Sequence, residues 1–354
     1  MYPKTGNNSL PVDLIRTVAI VLVILLHASA ESYSNVNWMS TQGVQIWWAS
    51  NVYGSLARVC VPLFVMLTGA LLLQPSKADE SLKVFFKKRL NRVGIPFLFW
   101  GAVYFAWQFL VNGKAFTENA IVQGVLTGPD YQFWFLYLLL GLYLVTPVLR
   151  VLIKNADWKI MRYLIAVWFV GTALIPLMTL FGQYSLNANV FIITGWLGYF
   201  VLGAYLLSSK LKPKFLALVW VLSLLWTIVG TYLVIAVLGE KFSQFFLNAT
   251  SFNIIFASAA LFLLLTAVSN QKIENRFPKG NRLIILIGQN TLPIYLFHVI
   301  VLDVLQRGYL GFTVSIIKIN PMVEIPLITA LTLLICLAVI VPLKKIPYVK
   351  RIIG

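Results

Sequence analysis

An all-α integral membrane protein of about ten transmembrane helices, both termini cytoplasmic, is the fold class this 354-residue chain predicts. Three observations carry that expectation. Apolar residues make up 60% of the chain and charged residues only 11%, against about 25% charged in soluble domains. Apolar windows long enough to cross a hydrocarbon layer of roughly 30 Å recur along its length. When the connections are assigned alternately to two sides, 23 of the 28 Lys and Arg residues share one side and four lie on the other. The positive-inside bias makes the crowded side cytoplasmic.

The windows centre on residues 13–30, 47–73, 91–111, 133–153, 162–181, 190–208, 215–238, 249–269, 283–305 and 323–343. The first opens with Asp13-Leu14-Ile15-Arg16, and His27 follows eleven residues after Arg16. At about 100° per residue that spacing returns to nearly the same helix face, with the two side chains about 16 Å apart along the axis. Glu31 stands in i,i+4 register with His27. Ionisable groups inside a span are costly and mark functional sites, so a cation at one mouth and an imidazole deep inside reads as a reaction channel. Imidazole suits proton removal from a hydroxyl near neutral pH. Glu31 either orients the second ring nitrogen, as the carboxylate of a triad does, or is a solvated residue at the outer boundary. Residues 17–26 with Ala28-Ser29-Ala30 also resemble a signal peptide and its cleavage site. Cleavage would discard His27 and leave nine spans, and a disposable leader has no need of an Arg16–His27 stripe, so the segment is read as retained.

In the second window Arg58 falls near the middle, where a permanent charge demands a partner: Glu31, a bound anion, or a structural ion pair. The third is bordered by Lys87-Lys88-Arg89-Leu90-Asn91-Arg92. Arg89 and Arg92, one turn apart, are placed to clamp phosphates bidentately or to anchor the chain at lipid headgroups. Pro62, Pro96, Pro147, Pro176, Pro293, Pro326 and Pro342 sit in or at the ends of windows, where kinks line cavities. The ninth window holds the second of the two histidines, His298, either a hydrogen-bonded core residue or part of the site. Cys60 and Cys336 form neither a CxxC pair nor a zinc spacing and read as small buried side chains.

The longest connections, near 31–46, 74–90, 112–131 and 270–282, are too short to fold alone, so residues 1–354 form a single membrane domain. No P-loop, GxGxxG, HExxH or GxSxG motif is present. Two histidines far apart and few carboxylates make a protein-ligated metal an unexpected feature. The net charge of +17 calls for no nucleic-acid partner. Topology and attraction to anionic membrane lipids account for it, alongside a cytoplasmic surface that attracts an anionic substrate.

Taken in order, several motifs resemble those of the acyltransferase-3 membrane family. They are Asp13-Leu14-Ile15-Arg16 followed by His27; Arg58-Val59-Cys60-Val61-Pro62 through Thr68-Gly69; Arg89-x-x-Arg92; Trp134-Phe135-Leu136-Tyr137 through Tyr143 and Pro147; Gly198-Tyr199 through Gly203; and Ile294-Tyr295-Leu296-Phe297-His298. The likeness covers most of the chain. It departs at Thr68, where a serine is usual, and at Gln132, where many relatives carry a histidine. With no SGNH-type domain in the sequence, the membrane domain is expected to complete transfer itself.

The resemblance implies an O-acyltransferase of a prokaryotic plasma membrane. It would move an acyl group, usually acetyl, from cytoplasmic acyl-CoA to a hydroxyl of an envelope glycan or glycolipid. Acetyl-CoA is then a co-substrate, with no cofactor permanently bound. Arg89, Arg92 and Arg16 would hold the CoA phosphates. His27, with Glu31, would serve as general base or transient acyl carrier, and Arg58 would stabilise the oxyanion. Trp134, Tyr295 and His298 would fall to the substrate. The rival reading is a transporter or flippase of a lipid-linked glycan with no covalent step, which acyl-CoA turnover distinguishes. A non-catalytic scaffold leaves Arg16, His27 and Arg58 unexplained.

Overall fold

A computed structural model describes residues 10–30, 41–182, 195–209, 211–309, 311, 314 and 320–354. Regular structure among them is entirely helical. Helix α1 (Val12–Ala30) is followed by α2 (Thr41–Ala57) and α3 (Cys60–Leu72), which together make one spanning unit broken at Arg58-Val59. Helix α4 (Leu82–Arg89) runs through a π-helical turn, Leu90–Gly94, into α5 (Ile95–Ala106). Then come α6 (Glu118–Thr127), α7 (Trp134–Asn155), α8 (Trp158–Phe169), α9 (Ile175–Gly182), α10 (Trp196–Leu206), α11 (Pro213–Leu238) and α12 (Phe252–Thr266). The chain closes with α13 (Asn270–Arg276), α14 (Pro278–Gln289), α15 (Thr291–Gln306), α16 (Pro321–Leu343) and α17 (Pro347–Ile353).

Among the described residues, seven helical units are long and apolar enough to cross a membrane, or eight if α14 and α15, bent by 80°, are one broken span. Ten windows were expected. The two left over correspond to α10 and α12, which are apolar but only 11 and 15 residues long. At 1.5 Å per residue neither covers a 30 Å layer as a helix alone. Both are instead largely buried among neighbouring helices.

Glycine decides how closely those neighbours approach. A Cβ on Gly69 of α3 would lie 1.8 Å from the Phe200 carbonyl oxygen, and one on Gly203 of α10 would lie 2.0 Å from that of Met66. The two backbones therefore touch, the small-residue packing that apolar surroundings favour. Gly198 makes room in the same way for the Trp168 ring. At Gly288, the end of α14 lies against the backbone of Asp13. Thr17 Oγ1 ties the same two helices by donating to Ile284 O at 2.8 Å.

Helix α1 is the centre of the molecule, packing against α2, α3, α14, α15 and α16. Ile15, Ala19, Ile20, Val23, Ile24 and Ala28 are buried there, so its polar residues face protein rather than lipid. Tyrosine and tryptophan tips lock the surrounding helices to backbone acceptors. Tyr104 donates to Leu296 O at 2.7 Å, Tyr295 to Gln132 O at 2.6 Å and Trp100 to Ile353 O at 3.2 Å.

Candidate active site

A cavity of about 370 Å³ opens where α1, α3, α4, α7, α14 and α15 meet. Its polar wall is cationic: Arg16 from α1, Lys77 from the connection after α3, Arg89 from the end of α4 and Arg92 from the π-helical turn. No Asp or Glu side chain is among the lining residues, and Gly354 lies on the same wall. The extra residue of a π turn shifts register and recurs at functional sites, and here it falls within the Arg89–Arg92 spacing. Arg16 lies within electrostatic reach of Arg92. Four cations on one wall, with Asp13 and Glu80 acting on them from outside the lining, make a site for an anion.

The break between α14 and α15 adds to this field. Thr291, Leu292 and Pro293, the first turn of α15, line the cavity. Asn290 precedes them but turns its side chain back to Leu286 O at 2.7 Å, so no side chain caps the helix. The first turn of α15 and the positive end of its dipole therefore adjoin the cavity.

Lys77 and Arg89 are held from behind. Arg150, buried on α7, donates through Nε to Leu72 O at 2.7 Å and through Nη1 to Glu80 Oε2 at 2.9 Å. The other Glu80 oxygen accepts from Lys88 at 2.6 Å. The hydrogen bond from Lys88 first, then that from Arg150, holds the Glu80 carboxyl below its ordinary range despite its partial desolvation. The guanidinium of Arg150 lies 4.7 Å and that of Arg89 5.2 Å from the Phe85 ring, a cation–π arrangement that fixes Arg89. Lys77 donates to Leu71 O at 2.5 Å. Burial, then the charges of Arg150 and Arg89, pushes its ammonium below its ordinary value, a strain that an anion in the cavity relieves.

The apolar wall leads to the histidines. Phe64, Phe135 and Tyr295 line the cavity, with Phe64–Phe135 and Phe135–Tyr295 centroids 5.8 and 5.3 Å apart. The Tyr295 ring in turn lies 5.7 Å from His298. His298 lies 5.2 Å from His27, and His27 lies 5.0 Å from Tyr131. Tyr131 is 53% exposed, so the histidine pair sits beneath a surface residue. Tyr295 lines the cavity and touches the pair.

The remaining expected site residues are placed differently. Arg58 lies at the α2–α3 break within electrostatic reach of His27, and its Nη2 donates to the neutral amide of Gln244 at 3.2 Å. Trp134 is 40% exposed, its ring 5.4 Å from Trp196 and 6.2 Å from the cavity-lining Phe135. Glu31 falls outside the described residues. Sequence reasoning did not single out Lys77, Tyr131 or the break at Asn290. Lys77 looks like any lysine of a basic connection, and only its place on one wall with α1 and α15 distinguishes it.

This geometry has a family. The chain matches the model of the acyltransferase-3 family, described as an acyltransferase domain, over residues 11–341, and it belongs to that family. The match does not favour the transport reading. No curated protein and no solved structure matches the chain.

Proposed function

We propose that the protein is a membrane O-acyltransferase that takes an acyl group, acetyl in the first instance, from acyl-CoA on the cytoplasmic side. It delivers that group to a hydroxyl of an envelope glycan or glycolipid in the plasma membrane of a prokaryote. The observation that carries this reading is the pairing of a cavity lined by four cations with two histidine rings in contact, across one tyrosine.

Arg16, Lys77, Arg89 and Arg92 supply the charge and donors for the CoA phosphates. Below them, the Phe64–Phe135–Tyr295 layer suits the less polar pantetheine arm and its thioester. His27 then meets the acyl group, as carrier or as base, with Arg58 close enough to stabilise negative charge on the carbonyl oxygen. Thr68 Oγ1, on the cavity wall, is already engaged by Phe64 O at 2.7 Å and serves as a wall group. The topology belonging to this reading has ten crossings, α10 and α12 included, and cytoplasmic termini, which puts the cationic cavity on the donor side and Tyr131 on the acceptor side.

Purified protein in lipid, given acetyl-CoA and envelope glycans, tests it. Release of CoA with a matching acetyl ester on the glycan supports the reading. Glycan movement across the bilayer with no CoA release overturns it.

A further inference from the structure

His298 is fully buried on α15, and its Nδ1 lies 2.6 Å from the carbonyl oxygen of Tyr295. A carbonyl only accepts, so Nδ1 carries the hydrogen and the neutral ring presents its lone pair at Nε2. That Nε2 is buried and has no hydrogen-bond partner among the described residues. A second group repeats the pattern. Gln132 is fully buried, and neither its Oε1 nor its Nε2 has a partner among the described residues. Its backbone belongs to the same cluster, because Gln132 O accepts from Tyr295 and the adjacent Tyr131 ring packs on His27. Buried polar groups are paired in stable proteins, and unpaired ones clustered beside a reactive centre point to a ligand that completes them.

On the acyltransferase reading above, we propose that His298, through Nε2, is the base that takes the proton of the acceptor hydroxyl, and that the Gln132 carboxamide binds a neighbouring hydroxyl of the same glycan. A ring nitrogen fixed by an acceptor on its opposite side is the arrangement by which a triad carboxylate prepares its histidine. Here the Tyr295 carbonyl does that work, and the imidazolium formed keeps the same hydrogen bond. A carboxamide carries one donor and one acceptor end, which matches the paired donor and acceptor character of sugar hydroxyls. In the step itself the acceptor O–H bond breaks and its proton passes to Nε2. The oxygen forms the new C–O bond at the acyl carbon. The bond from that carbon to the CoA sulfur breaks with its electron pair on sulfur, and the thiolate recovers the proton from Nε2. His27, whose ring lies against His298, is left to contact the acyl group.

His298→Gln keeps a donor for the Tyr295 carbonyl and removes the basic nitrogen. Its expected result is a kcat lowered about 10²–10⁴-fold, with donor KM and melting temperature unchanged. Gln132→Met removes both polar ends at nearly constant volume. It is expected to raise acceptor KM with no loss of melting temperature, because the carboxamide bonds to none of the described residues. An undiminished kcat in His298→Gln overturns the base, and a lowered melting temperature with unchanged acceptor KM in Gln132→Met overturns the acceptor contact. Should His298→Gln not fold, His298→Ala with added imidazole replaces it: restored turnover supports the base and absent rescue overturns it. Wild-type protein that turns over no acyl-CoA refutes the acyltransferase reading itself, an outcome distinct from either.

Discussion

Single side chains separate the two ends of the site. His27 is one of only two histidines in the chain, and its ring sits between His298 and Tyr131. His27→Ala is expected to lower transfer about 10²–10⁴-fold in protein that inserts and melts as wild type does. Substantial transfer by that variant would remove His27 from the mechanism. At the other end, Arg89 and Arg92 are expected to act through guanidinium geometry and not charge alone. The double lysine variant should therefore raise the KM for acyl-CoA well above that of wild type while leaving the acceptor KM alone. Lys77→Gln should move the same constant in the same direction. Equal donor constants in all these proteins would mean that the cationic wall only anchors the chain at lipid headgroups. Arg89 and Arg92 were visible as a pair one turn apart. Lys77 was not, because a contact between a connection and two distant helices leaves no periodic trace.

Individual elements hold those side chains in place by backbone contact and by buried polar ties. The α3–α10 crossing depends on glycine at 69 and 203, where an added Cβ would overlap a carbonyl oxygen of the other helix. Gly69→Ala and Gly203→Ala are each expected to destabilise the protein by roughly 1–3 kcal/mol or more, read as a lower melting temperature in detergent. Ala at Gly101, which faces open space, should leave melting unchanged. The connection carrying Lys77 is tied to α7 through Glu80 and Arg150. With its acid range depressed by Lys88 and Arg150, the Glu80 carboxylate stabilises the fold above its ordinary value near 4.5. That contribution fades as pH falls through the depressed value. Glu80→Gln should thus melt earlier than wild type at neutral pH, with the difference closing in acid below about pH 4.5. A difference that stays constant into strong acid would show that the carboxylate's charge plays no part.

At the scale of the whole molecule the question is orientation. Arg16, Lys77, Arg89 and Arg92 surround one cavity, and Lys344 after α16 lies within electrostatic reach of Arg92. Arg307 and Asn112, from connections assigned to the opposite side, meet at 3.0 Å. Reporters fused after residues 80, 156 and 276 are expected to read cytoplasmic, and those after 38 and 186 external. An external reading at 80 would overturn the donor side and the count of crossings together.

Sequence by itself determined that the chain is helical and membrane-spanning, through composition and the 3.6-residue period, which are local properties of a chain. Its ordered motifs carried the resemblance to the acyltransferase family, which the family match bears out. Only the tertiary structure decided that α10 and α12 are short and buried, that α14 and α15 meet at 80°, and that the His298 ring lies against His27 and not elsewhere in the core. It also put Tyr295 between the cavity and the histidines. Those facts depend on which distant backbones approach closely enough to touch, as at Gly69, Gly203 and Gly288. They depend too on which buried donors find a carbonyl across the bundle. Neither condition is written in the spacing of residues along one helix.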